Sequence, residues 1–579
     1  MTPTALAPAS STPATRPVRS VVSPLLPVVL PLVVAAIVLS VVFAWLFPPD
    51  TAAGAPALRF TDVTAEAGLR FTHQQGGAES PTTLGGAVAV LDFNNDGAPD
   101  LFFVNGAPWP WEESLDKRLT RSNALFRNDG AGHFTDVTAA AGLNTEMQGM
   151  AATAGDFDND GLPDLFVTCV GLNHLFRNVG HGRFEDVTES AGVGGEDNTW
   201  STGAVWLDLD HDGRLDLIVL HYARWPREVG LAQAFVIADV GRSYGAAVGF
   251  VSSFPTVYRN LGDGRFEVVA NSAGLRDIDA ETGRPVAQPI ALTPVNADGD
   301  AHLDLLVAYH AAPNALFLNQ GDGTFRKAVR APDRRQEGAA AGLAASASLP
   351  FAQADGTDQR YQALRSAAGY FSDRALGGLA GKLGTVPVDF DLNGRVELFS
   401  DSGAIEPNIN KFEEGRDFAR PAKVLWSPNR RDLGSDWLTP EVRVDDRPDG
   451  LPSLVARGVA VADFDGDGDP DVVIAQNNGA PVLLRNDQRA GPPWLRLRLI
   501  ATRGHPEAGG ARVEVHTPRH VFTQTVAPAL GFMSQSESTL TFGLGEDARV
   551  RRIVIQWPSG QMQELRPEAL NQTLVVREP

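Results

Sequence analysis

A nine-residue acidic pattern that returns six times constrains this chain more than any other feature. Its fullest form is Asp156-Phe-Asp158-Asn-Asp160-Gly161-Leu-Pro-Asp164, with acids at positions one, three, five and nine, glycine at six, and an apolar strand following at once. Such spacing gathers hard carboxylate oxygens around one point. Ca²⁺ takes six to eight oxygens in flexible geometry, and glycine permits the tight turn that collects them. Because a β-rich run follows, and not the helix and position-twelve glutamate of an EF-hand, the loop is expected to join two strands. Complete copies are Asp92, Asn94, Asp96, Asp100; Asp156, Asp158, Asp160, Asp164; Asp208, Asp210, Asp212, Asp216; and Asp463, Asp465, Asp467, Asp471. Two are degraded: in Asn296, Asp298, Asp300, Asp304 the turn glycine is Ala301, and Asp389, Asp391, Asn393, Glu397 ends in glutamate. All six quartets are candidate metal ligands, and the copies spread along the chain indicate a repeat architecture.

Two further elements recur with the loop. Phe60-Thr-Asp62-Val-Thr64-Ala-Glu-Ala-Gly68-Leu returns at Phe134 and Phe184, and more loosely at Phe266. It reads as a short strand, a threonine at the start of one helical turn, and a closing glycine. Between loop and strand lie Leu125-Phe-Arg-Asn128, Leu175-Phe-Arg-Asn178, Val257-Tyr-Arg-Asn260, Leu316-Phe-Leu-Asn319 and Leu483-Leu-Arg-Asn486. The unit is strand, acidic loop, strand, strand, glycine turn, strand, which is one blade of a propeller. The last unit ends at Asn486 without its fourth strand, whereas the chain offers an unattached one at 60–64. Adding that strand to the last unit would close the ring and leave no free sheet edge. Six units are evident, and residues 330–385, rich in Ala, Gly, Arg and Gln, are either a long insertion or a worn seventh blade.

These repeats resemble the FG-GAP or VCBS repeats of integrin-type β-propellers. The Phe-x-Asp-Val-Thr-x-x-Ala-Gly-Leu element is similar to that of the cartilage acidic protein family and its bacterial relatives. After a break at 488–493, seven short strands between Trp494 and Val576 read as a small β-sandwich. Trp494-Leu-Arg-Leu-Arg-Leu, Gly531-Phe-Met-Ser534-Gln535-Ser536 and Trp557-Pro-Ser-Gly560 resemble the ASPIC/UnbV domain. The resemblance implies structural Ca²⁺ in the hairpin loops and leaves loops four and five in doubt. For the C-terminal domain it implies no activity.

Composition fits this reading. The net charge of −21 argues against a nucleic-acid partner, and the six loops hold 22 of the 70 acidic residues, so the acidity is loop chemistry. The single cysteine, Cys169, precludes an intramolecular disulfide and reads as a small buried side chain. Nucleophile-elbow, Walker and His-Glu-x-x-His motifs are absent from the sequence, and the histidines at 73, 174, 221, 302 and 310 occupy differing repeat positions.

Residues 1–20 form a Pro/Ser/Thr/Ala-rich segment, and Val21 to Phe47 carries no charge over a length able to span a bilayer. With Arg16 and Arg19 before it and Asp50 after it, the run is expected to be a transmembrane signal anchor placing the bulk of the chain outside the cytoplasm, periplasmic or extracellular. The competing reading is a cleaved signal peptide ending near Ala55-Pro-Ala57. Residues 48–57 are a linker, 58–487 the propeller and 494–579 the C-terminal domain. The expected fold is therefore all-β: a six- or seven-bladed β-propeller, a small β-sandwich and one N-terminal transmembrane helix.

Units one, three and five carry insertions after the strand that follows the loop. They include Trp109 and Trp111, then Tyr222 and Trp225, then Ile405 to Ala422. Equivalent repeat positions map to one face, so this rim is the expected protein- or glycan-binding surface of an adhesion module. The alternative is an enzyme acting on a carbohydrate or small molecule from that rim or the central channel.

Overall fold

The computed structural model describes residues 56–579 except 75–84, 108–121, 226–235, 238–240, 243–250, 301, 310–313, 329–384, 401–409, 411–416, 427–441, 445–449, 489–490 and 528–532. The expected anchor at 21–47 and the worn blade at 330–385 lie essentially outside these residues. Among the described residues no helix is long and apolar enough to cross a membrane.

The chain is all-β, with a few single helical turns. Four successive antiparallel meanders come first: Val88–Leu91 to Phe134–Asp136, Gly149–Gly155 to Phe184–Asp186, Thr199–Leu207 to Phe266–Val268, and Pro289–Val295 to Phe325–Lys327. A three-stranded sheet, Thr385–Val388, Glu397–Ser400 and Lys423–Leu425, forms unit five. Unit six is Ala456–Ala462, Asp471–Gln476 and Val482–Asn486, extended by Leu58–Asp62. Phe60 pairs with Asn486 and Asp62 with Leu484, so the N-terminal strand completes the last sheet in the expected manner. A further strand, Val442–Val444, lies parallel to Leu58–Phe60 and was not foreseen. The first strand of each unit is the innermost, and those of units six, one, two, three and four lie in succession, with unit five's beside unit six's.

Two repeated contacts stitch neighbouring units. In four of the six loops position two is a phenylalanine that packs on the fourth-strand phenylalanine of the next unit: Phe464 on Phe134 (ring centroids 5.7 Å apart), Phe93 on Phe184 (6.3 Å), Phe157 on Phe266 (5.8 Å) and Phe390 on Phe60 (5.3 Å). The carbonyl of that same phenylalanine accepts a hydrogen bond from the next unit's third-strand asparagine. Asn128 donates to Phe464 (2.9 Å), Asn178 to Phe93 (2.8 Å), Asn260 to Phe157 (2.8 Å) and Asn486 to Phe390 (2.9 Å). All four asparagines are buried, so each satisfies a backbone carbonyl that water does not reach.

The threonine of the Asp-Val-Thr element does a different job from the expected helix cap. The cap position belongs to Val137 and Val187, which make no side-chain cap bond. Thr138 instead donates its hydroxyl to Asp136 (2.6 Å) and accepts from the Leu125 amide (2.9 Å), tying the fourth strand's end to the third strand. Gly142 and Gly192 end their turns in the left-handed conformation, as the sequence predicts.

The C-terminal domain is a sandwich of a three-stranded sheet (Leu540–Gly543, Trp494–Ile500, Thr573–Arg577) and a four-stranded one (Val521–Thr525, Arg512–His516, Arg552–Gln556, Met562–Leu565). Its core centres on Leu495, Leu497, Val513, Ile553, Ile555 and Trp557.

Asn178→Ala leaves the Phe93 and Pro163 carbonyls without their donor, and should cost roughly 2–3 kcal/mol in denaturant unfolding. Glu185→Ala, exposed on the same sheet, should change stability by less than about 0.5 kcal/mol.

Candidate metal loops and the face they share

Each acidic loop is built on its ninth residue. Asp164 lies fully buried at the start of the second strand; its Oδ2 accepts from the Phe157 amide (3.1 Å) and its Oδ1 from the Asn178 amide (2.7 Å). The arrangement recurs at Asp100, Asp216, Asp304 and Asp471, and Glu397 reaches the Phe390 amide (3.0 Å). Position one closes the turn: the Asp156 carboxylate takes the amides of Asp160 and Gly161. Positions four and six both need positive φ, with Asn159 at 57° and Gly161 at 89°. Glycine at position six has a second cause in the last loop, where a Cβ on Gly468 (φ 101°) would lie 2.0 Å from the Trp494 indole.

Among the described residues, carboxylate oxygens gather within 4.8 Å of one another in four loops: Asp156, Asp158, Asp164; Asp208, Asp210, Asp212; Asp389, Asp391, Glu397; and Asp463, Asp465, Asp471. Loop five thus gathers despite its degraded sequence. Loop one, with Asn94 in place of a position-three carboxylate, does not; there Asn94 donates to Asp96 (2.7 Å) and Arg498 pairs with Asp92 (3.0 Å). Loop four, with Asn296, Asp298, Asp300 and Asp304, does not either. The Oδ1 atoms of Asp158, Asp208 and Asp210 are buried and have no hydrogen-bond partner. Orphaned carboxylate oxygens at the centre of an acidic loop fit a hard cation.

Burial pushes these acids up. Asp100 rises to about 8, Asp164 to about 9, Asp216 and Asp304 to about 7, in each case through burial first, with neighbouring loop carboxylates adding to it and backbone amides opposing it. Asp156, Asp208 and Asp463 rise to about 6, again through burial, and at Asp463 the Arg496 guanidinium opposes the rise.

The loop-bearing face is occupied by the C-terminal domain. Arg496 is buried and reaches Asp463 (2.8 Å) and Glu537 (2.5 Å). The Gly545 amide donates to the Leu392 carbonyl of loop five (3.1 Å), and a Cβ on Gly213 of loop three would meet the Gly504 Cα at 3.0 Å. Glu507 stands beside Asp156, and burial with that charge pushes it up to about 8. A cavity of about 580 Å³ separates the first two loops from this domain, lined among others by Asp92, Asp156, Arg498, Glu507 and Arg577.

The deepest contact is made by Met533 to Glu537, which sits between the innermost strands of three units. Gln535 exchanges backbone bonds with Val88 and Val90 of unit one. Its side chain accepts from Thr153 (2.8 Å) and the Ala154 amide (2.9 Å) of unit two. Ser536 accepts from the Val461 amide of unit six (3.1 Å), and Met533 joins the apolar core of units one to four. These bonds place the segment against the innermost strands of units one, two and six at once. The motif was legible, but its docking partner lies some 380 residues away in sequence and carries no local signal.

Of the expected partner-binding aromatics, Trp109 and Trp111 lie outside the described residues. Tyr222 does not face a partner: it is fully buried against Trp200, ring centroids 4.6 Å apart, and Trp225 is half-buried against the same indole at 5.6 Å. Burial of Tyr222 follows from its position on the long strand Asp216–Arg224, which is covered on both faces along all but its last residue. Cys169 is buried, which pushes its thiol up.

Comparison with known proteins agrees with this architecture. Residues 92–167 and 162–219 match the FG-GAP-like repeat, 455–494 the FG-GAP repeat, and 501–579 the ASPIC and UnbV family. The chain thus carries FG-GAP-type repeats followed by a segment that matches the ASPIC and UnbV family. Its named relatives are cartilage acidic protein 1 of Mus musculus, 26% identical over 331 residues (53% of this chain and 48% of the relative), and of Homo sapiens, 26% identical over 310 residues (50% and 44%). The match spans about half the length of these relatives. An Agrocybe aegerita lectin described as recognising non-reducing terminal N-acetylglucosamine aligns over 69% of this chain and 80% of its own, at 14% identity and a TM-score of 0.30. That score is too low to carry an argument.

In EDTA, acids raised in the fold stabilise it below their unfolded pKa near 4, and that stability is lost as pH rises through the folded values of about 6 to 9. Thermal melts in EDTA should therefore fall from pH 5 to pH 8. Excess Ca²⁺, which favours the ionised carboxylates, should flatten or reverse that slope; parallel slopes would contradict it.

Proposed function

We propose that this protein is an extracytoplasmic, Ca²⁺-stabilised propeller held to a membrane by residues 21–47, acting as a non-catalytic binding module for a protein or glycan. The observation that carries the reading is the division of labour between the two faces. In an antiparallel meander the acidic loops and the connections between second and third strands lie at opposite ends. The C-terminal domain packs on the acidic end, through Arg496 on Asp463 and Gly545 on Leu392. By repeat position the insertions of units one, three and five, with Trp109 and Trp111, belong to the other end, the one left for a partner in this reading.

Ca²⁺ serves the scaffold in this reading. Asp156, Asp158 and Asp164, Asp208, Asp210 and Asp212, Asp389, Asp391 and Glu397, and Asp463, Asp465 and Asp471 would hold the ions. Extracellular modules bind Ca²⁺ with Kd of about 10⁻⁴ to 10⁻³ M, so at about 1 mM each ion adds roughly 0.4 to 1.4 kcal/mol. Summed over four loops this reaches several kcal/mol, comparable to the net stability of a domain.

Two measurements test the reading. Asp158→Asn and Asp210→Asn should each remove one Ca²⁺ from the stoichiometry measured by calorimetric titration; unchanged stoichiometry would count against the loops as sites. Trp109→Ala with Trp111→Ala should weaken retention of ligands identified on a glycan or protein array by roughly tenfold or more while the melting temperature holds. A large drop in melting temperature would show instead that the two indoles pack their own loop.

A further inference from the structure

The C-terminal domain reaches the acidic face with two arginines from one strand, and the two meet different surroundings there. Along Trp494–Ile500 the leucines at 495, 497 and 499 enter the sandwich core. Arg496 and Arg498 therefore point from the other face of the sheet onto the propeller loops. Arg496 meets Asp463 of loop six at 2.8 Å but shares its charge with Glu537 (2.5 Å), and Asp463, Asp465 and Asp471 still gather around one point. Arg498 meets Asp92 of loop one at 3.0 Å, and among the described residues that is its only ion pair.

Loop one keeps the turn of its relatives. Asp92 takes the amides of Asp96 (3.0 Å) and Gly97 (2.9 Å), as Asp156 takes those of Asp160 and Gly161 in loop two. What differs is the mouth of the loop. Asn94 donates an amide N–H to Asp96 (2.7 Å), and the Arg498 guanidinium stands over positions one and six, with Nη1 3.7 Å from where a Cβ on Gly97 would lie. Loops two and three leave the Oδ1 atoms of Asp158, Asp208 and Asp210 buried without a partner, whereas Asp92, Asp96 and Asp100 leave no buried oxygen in that state. Arginine stays protonated at neutral pH and meets carboxylates through directed N–H donors. A tethered cation thus already stands in loop one, where loops two and three have carboxylate oxygens left over.

We infer that Arg498 takes the place of a metal ion in loop one, so that this loop holds the C-terminal domain instead of Ca²⁺ and the two cations exclude each other there. The inference deepens the calcium reading and rests on it for the contrast with the other loops. The carboxylates of Asp92, Asp96 and Asp100 and the side-chain carbonyl of Asn94 are oxygen donors of the kind Ca²⁺ takes. With the guanidinium gone, the loop becomes a site. The side chain also has room to leave: Arg498 is 30% exposed, and it lines, with Asp92 and Gly97, the cavity of about 580 Å³ between the domain and loops one and two. Loop one then grips the domain without needing Ca²⁺, and raised Ca²⁺ competes with the domain for it.

The test counts Ca²⁺ ions per full chain by calorimetric titration. Arg498→Leu should bind one ion more than the unsubstituted chain, with a Kd of about 10⁻⁴ to 10⁻³ M. Arg498→Lys, which keeps the positive charge, should show no gain, and adding Asp92→Asn to Arg498→Leu should remove the extra ion. Asp92→Asn alone should leave the count unchanged, whereas Asp158→Asn lowers it by one. The inference is overturned by no gain in Arg498→Leu, by a gain in Arg498→Lys as well, by a gain that survives Asp92→Asn, or by loss of an ion in Asp92→Asn alone. Should Arg498→Leu fail to fold, the Asp92→Asn count decides. If the unsubstituted chain binds no Ca²⁺ and Arg498→Leu binds one, the calcium reading fails and this inference stands; no Ca²⁺ in either chain overturns both.

Discussion

The fold depends on a carboxylate that holds two backbone amides. Each position-nine aspartate sits buried at the root of its hairpin, one oxygen taking the amide of loop position two and the other that of the third-strand asparagine. The residues so held are the ones that contact the neighbouring unit: position two offers its carbonyl and phenyl ring to the next unit, and the asparagine reaches back to the previous one. One ionisable group therefore fixes the loop, the sheet and two inter-unit contacts. Burial alone would drive this carboxylate toward its protonated form, which gives up part of its acceptor capacity. A cation held in the loop, as proposed, would keep it ionised and so would link metal chemistry to the mechanics of the ring.

Viewed this way the acidic loops serve two structures at once. Inside the propeller they anchor the hairpins. On their outer side they form the platform for the C-terminal domain, whose Arg496 and Arg498 pair with the position-one acids of loops six and one. Met533 to Glu537 then adds bonds to three units. Among the described residues the domain packs on the acidic end alone, which supports the proposed binding surface at the other end.

Much of this was legible in the sequence because it is local and repeated. Acid spacing, the following strand and the unattached strand at 60–64 predict hairpins and ring closure, and the observed pairing of Phe60 with Asn486 follows from them. Other features depend on contacts that no short window encodes. The asparagines at 128, 178, 260 and 486 were readable as strand ends, but their bonds cross to another unit. Thr138 looked like a cap because cap and cross-strand tie share the same residue type. Tyr222 looked like a recognition aromatic because the long strand that buries it runs on past the point where an insertion was expected to begin. Loop five gathers its carboxylates because glutamate's longer side chain replaces the aspartate at position nine and still reaches the Phe390 amide.

Hydrogen exchange of the amides bound to the position-nine carboxylates tests the central claim most directly. With Ca²⁺ present, the amides of Phe157, Asn178, Phe464 and Asn486 should be among the slowest in the chain, and chelation should accelerate all four together. Exchange at these positions that is indifferent to Ca²⁺ would contradict the account.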